Sequence, residues 1–97
     1  MYLRFVKFDT EGTDLRQVQA FYRDRVLPLL ERHGSCRFSS LLQATSKDEK
    51  CLSMTLWDSP EKDTLDGATE WRVTFVPSGS STGPPVKGYK QIIGEKL

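Results

Sequence analysis

Histidine and cysteine are scarce in this chain, neither sign of charge is in surplus, and no long apolar run occurs. The one histidine among 97 residues, His33, has no second imidazole to share a metal with. The two cysteines, Cys36 and Cys51, form neither a CxxC pair nor a Cys/His cluster, so no metal site is expected. If they lie on neighbouring antiparallel strands joined through Thr45–Lys50, opposed residue numbers sum to about 95, which leaves the cysteines roughly 25 Å apart. A disulfide needs Cα atoms within about 7 Å. Two free thiols suit a reducing compartment. Fourteen Lys and Arg stand against thirteen Asp and Glu, too even a balance to attract nucleic acid or an anionic membrane. No stretch approaches the roughly 18–20 apolar residues of a membrane span, and Met1-Tyr2-Leu3-Arg4 lacks a signal-peptide layout. These absences lead us to expect a cytoplasmic protein. Hydrophobic residues are only 37%, so the core of the single domain expected over 1–97 is thin, and a second copy would relieve that.

What is present alternates between strand and helix patterns. Tyr2–Thr10 reads as a strand with Leu3 and Phe5 on one face and Val6 and Phe8 on the other, so both faces should be covered. Asp14, with Gln17 three residues on, forms a capping-box pattern for a helix that Gly34 would end. Leu15, Val18, Tyr22, Val26, Leu29, Leu30 and His33 fall on its apolar stripe, with Phe21 at the edge, and Pro28 should bend it. Cys36–Ala44 and Cys51–Asp58 read as a hairpin. In its second strand Leu52, Met54 and Leu56 oppose Ser53, Thr55 and Trp57, and the apolar face calls for a covering helix. Ser59-Pro60 starts a further helix, which is shortened or partly missing before Gly67. Glu70–Pro77 reads as a fourth strand, Ser78–Pro85 as a loop, and Val86–Ile93 as a last strand within the tail 86–97. The order is that of an α+β, ferredoxin-like antiparallel sheet with helices on one face.

Two segments sharpen this. Val26-Leu27-Pro28-Leu29-Leu30 followed by Gly34-Ser35-Cys36-Arg37-Phe38, and the run from Leu52 to Glu61 with its Trp57-Asp58-Ser59 lead-in, resemble antibiotic-biosynthesis-monooxygenase domains. The resemblance covers the N-terminal part of the chain through Glu61. It implies a homodimeric α+β barrel with two sheets face to face, and cofactor-independent oxidation of a quinol-type aromatic molecule held between sheet and helices. The alternative is a non-catalytic homodimeric ligand-binding or assembly module of the same fold. Haem-degrading relatives use an Asn on the first strand and a Trp in the second helix. Tyr2-Leu3-Arg4-Phe5-Val6-Lys7-Phe8 has no Asn, which disfavours haem degradation.

Trp57, Thr55, Ser53 and Arg37 are the residues expected to line a substrate pocket, because pockets combine apolar walls with a few polar groups. Each also has a plainer role: Trp57 as strand-end packing and Arg37 as a solvated cation. His33 and Trp71 are weaker site candidates: His33 has a catalytic role set against the plainer one of supporting the helix C-terminus, and Trp71 would sit at a dimer contact or pocket rim. No general base is apparent. Without a Gly-rich phosphate loop or nucleophile elbow, no cofactor is expected.

Overall fold

A computed structural model describes residues 1–9, 14–45, 50–58, 68–74 and 82–97. The helix expected from Ser59, the hairpin tip over 46–49 and the start of the Ser78–Pro85 loop lie outside those residues.

Among the described residues five strands form one sheet: β1 (Tyr2–Asp9), β2 (Cys36–Ala44), β3 (Lys50–Trp57), β4 (Ala68–Arg72) and β5 (Tyr89–Lys96). Their order is β4-β1-β3-β2-β5, and every neighbouring pair is antiparallel. Because β3 opposes both β1 and β2, those two run parallel with β3 between them. A helical run over 14–34 connects them, so the fold is α+β.

The β2–β3 register, with Gln43 opposite Cys51 and Ser39 opposite Thr55, sums to 94, one residue from expectation. Cys36 and Cys51 accordingly lie at opposite ends of the hairpin and are not joined in a disulfide. Two strand boundaries moved. The fourth strand, expected over Glu70–Pro77, starts earlier and runs over Ala68–Arg72, where Arg72 pairs with Tyr2 and Val73 N–H bonds Met1 O; residues 75–77 lie outside the described residues. The last strand is Tyr89–Lys96, not Val86–Ile93. A turn at Lys87-Gly88 delays its start, and β2 offers partners as far as Phe38, opposite Lys96.

The connecting helix keeps its expected caps. Asp14 Oδ1 accepts from Arg16 N–H at 3.0 Å, and Gly34 closes the end at φ 79°. Between α1 (Leu15–Phe21) and α2 (Leu27–His33) lies a π-helical segment, Tyr22–Val26, in which Leu27 N–H bonds Tyr22 O. A π segment amounts to about one inserted residue, which turns all that follows by roughly 100°. This corrects the expected stripe: Leu27 packs toward the sheet, whereas Leu29 is 64% exposed, Phe21 62%, and His33 is also exposed. Pro28, which has no N–H to give, then sits in the first turn of α2, where none is needed.

The helix also covers a different sheet face from the one expected. Tyr22, with Leu15, Val18, Val26 and Leu27 around it, packs on the side of Leu41, Cys51 and Ile93, the mixed face that carries Ser53 and Thr55. The apolar face of Leu3, Phe38, Leu42, Leu52, Met54 and Leu56 is buried as well, with Met1, Val73, Val86 and Tyr89 packed against it. The helix thus lies on one face of the sheet, and Val86 and Tyr89 pack on the other.

Gly83 marks a close approach on that second side. A Cβ built there, at φ +111°, would stand 2.7 Å from Phe38 Cζ and 2.8 Å from Met54 Cε. At Gly34 nothing lies within 4 Å. Gly83→Ala should therefore lose about 2–4 kcal/mol in urea unfolding, from backbone strain plus overpacking, and Gly34→Ala only about 1–2. Equal losses would show that the contact at Gly83 is unimportant.

Candidate functional site

The expected pocket residues lie on β3 beneath the helix, and their geometry follows from the register. Ser53, Thr55 and Trp57 alternate onto the helix side, with Ser39 opposite Thr55 and Cys36 opposite Trp57. Tyr22, the buried residue of the π segment, reaches down to them. Its hydroxyl bonds Ser39 Oγ and, at 3.1 Å, Ser53 Oγ. An unsatisfied buried hydroxyl costs about 1–3 kcal/mol, so this three-way arrangement fixes the helix over the hairpin. Burial pushes the Tyr22 phenol above its ordinary value of 10.0, although the two serine bonds work against the shift. At neutral pH this phenol is a proton-bearing structural group and not a base.

Trp57 is 4% exposed. Its indole N–H donates to Thr55 Oγ1 at 2.8 Å. Arg4, itself buried on neighbouring β1, lies with its guanidinium carbon 5.0 Å from the ring centroid. His33 meets the ring edge-on, with centroids 5.0 Å apart and an interplanar angle of 84°. Chain geometry brings this about. Gly34 turns the helix end straight into β2, whose first residue, Cys36, pairs with Trp57, and Asp58 N–H bonds Ser35 O at 3.0 Å. His33 is therefore delivered onto Trp57 by the turn that ends the helix. Cation–π contact of this kind contributes about 0.5–2 kcal/mol.

Arg37 does not join this group. A bulge between Cys36 and Phe38 leaves it as the extra residue of β2. It is exposed, and its Nε donates to Asp58 Oδ1 at 2.7 Å, a pairing that holds the guanidinium protonated even more firmly than usual. Trp71 lies opposite Leu3 in the β1–β4 register, and its side chain is outside the described residues. Among the described residues no group of three or more His, Cys, Asp or Glu could hold a metal. None of their helices is long and apolar enough to cross a membrane.

Three further members of this seam were not among the expected pocket-lining residues: Tyr22, and Ser39 and Arg4, which the sequence offers either as binders of an acidic or phenolate group or as solvated residues. Ser39 and Arg4 share the face of Thr55 by strand alternation, so a register would have found them. Tyr22 carried no such signal, because the stripe placed it as plain core. A separate pocket of about 230 Å³ lies on the opposite sheet face, lined in part by Ser40, Leu42, Met54, Tyr89 and Gln91, and none of the expected pocket residues touches it.

No family model, curated protein or solved structure matches the chain.

Tyr22→Phe should cost about 1–3 kcal/mol in chemical denaturation, because Ser39 and Ser53 keep hydroxyls that lose their partner. The phenol is neutral in both states below its unfolded value of 10.0, so its contribution is fully present there. It is lost as pH rises from that value through the higher folded one. The alkaline decline in stability should thus be smaller in Tyr22→Phe than in the parent, and identical declines would contradict the assignment.

Proposed function

We propose that the chain is a non-catalytic, homodimeric module that binds a small aromatic molecule or assembles, built on a ferredoxin-like fold and resembling antibiotic-biosynthesis-monooxygenase domains in architecture more than in chemistry. The order β4-β1-β3-β2, with β1 and β2 parallel about β3 and a helix between them, supports the ferredoxin-like reading, with β5 added beyond β2. One observation carries the non-catalytic part: the seam around Trp57 is filled by its own side chains. Arg4 and His33 occupy the ring's surroundings, the Tyr22 phenol is engaged by two serines, and a flat substrate would have to displace these contacts to enter.

One observation favours the other reading, cofactor-independent oxidation of a quinol by dioxygen. His33 stands at the exposed end of the seam, edge-on to Trp57, and histidine is the side chain most often used as a general base. In that chemistry a base removes a substrate proton, and the resulting carbanion itself reduces oxygen.

Anthrones and quinols incubated with the protein under oxygen should give no product above the uncatalysed background, and haemin should show no Soret shift. Turnover that vanishes in His33→Ala would establish the oxygenase instead. For the dimer, the apolar surface left for a second copy includes Phe21 and Leu29 on the helix. Sedimentation at micromolar concentration should give twice the chain mass of 11.1 kDa, reverting to monomer in Phe21→Asp/Leu29→Asp. A parent that is monomeric there would refute self-association.

A further inference from the structure

The segment 82–86 crosses the apolar face of the sheet as a strap, and what holds it also shapes the space beneath. Ser40 Oγ donates to Thr82 O at 2.8 Å. The Gln91 side-chain amide donates to Ser40 Oγ at 3.0 Å and also to Thr82 Oγ1. At Gly83 the strap rests against Phe38 and Met54. Its far end is fixed where Tyr89 N–H bonds Val86 O at 3.1 Å. Between these anchors stand Pro84 and Pro85, whose rings lock φ and keep the strap from settling onto the sheet. The pocket of about 230 Å³ lies under this span.

Its lining restricts what could occupy it. Leu42, Met54, Pro84, Pro85, Val86 and Tyr89 supply apolar and ring surfaces. Among the described lining residues there is no Lys, Arg, Asp, Glu or His, so these residues offer a charged ligand no counter-charge for its lost hydration. The volume falls below the roughly 300–1,000 Å³ of sites for drug-sized molecules, which limits the occupant to one or two fused rings. The polar cluster has a fixed sense. Ser40 Oγ has one hydrogen, committed to Thr82 O, so the Gln91 atom facing it must be the N–H side of the amide. Gln91 Oε1 is then the acceptor left over, on an exposed residue that lines the pocket.

We propose that this pocket is a binding site for a compact, uncharged aromatic molecule carrying one N–H or O–H donor, received by the Gln91 carbonyl oxygen. The inference builds on the binding-module reading and places the ligand on the sheet face away from the helix, apart from Trp57.

The test is an NMR titration of the full chain with indole and with 1-methylindole, which lacks the donor. Indole should shift the methyl resonances of Leu42, Met54 and Val86 with a Kd on the order of 0.1–1 mM. 1-Methylindole should bind about fivefold to tenfold more weakly. Gln91→Leu, at an exposed position, should erase that difference, and Val86→Trp should fill the pocket and abolish binding. If circular dichroism shows either variant unfolded, the two-ligand comparison on the parent chain decides. Absence of shifts at those methyls, or equal affinity for both ligands, would overturn the proposal. Shifts confined to Tyr22 and Trp57 would overturn it as well while leaving the binding-module reading intact.

Discussion

The hydroxyl of Tyr22, held between Ser39 and Ser53, is the contact on which the arrangement of helix and sheet depends. A buried phenol needs partners, and here both come from adjacent strands of one hairpin. Satisfying it fixes the rotation of the helix about its own axis at residue 22. The π-helical segment begins at that residue and accommodates Pro28 a turn later. Everything beyond is rotated in consequence: Leu27 faces inward, Leu29 faces solvent, and His33 arrives on the edge of Trp57.

Much of the fold was legible in the sequence, for a physical reason in each case. The alternation of Leu52, Met54 and Leu56 with Ser53, Thr55 and Trp57 fixed β3 as a two-sided strand, and the polar loop after Ala44 set the hairpin register to within one residue. Asp14 and Gly34 marked the helix ends because their local chemistry is nearly independent of the rest of the chain. Tertiary effects were not legible. The π segment depends on where the Tyr22 hydroxyl finds partners, and no periodicity carries that information. The expectation that the most apolar face would take the helix also failed. The mixed face holds the helix through hydrogen bonds as well as packing, while a Gly-Pro-Pro strap lies over the apolar one.

The candidate site was half legible. Trp57, Thr55 and Ser53 do share one face and one cluster, as alternation requires. Arg37 was lost to the bulge after Cys36, which changes the facing of a single residue and leaves no trace in composition. Ser40 and Gln91 come together only because β5 lies beside β2, a pairing of segments far apart in the chain.

The placement of β5 at the end of the sheet order has a consequence for solubility. An unpaired strand edge is a template on which another chain can grow a sheet. This one is guarded. Its ladder with β2 is irregular at Leu41/Leu42, where Ile92 is the additional residue, and such a kink twists the outer edge out of register for a flat partner. Lys90, Glu95 and Lys96 along the same strand are exposed, and Lys at an edge resists burial between strands. The strand that supplies Gln91 beside the strap can thus stay at the margin of the sheet without inviting fibre-like stacking.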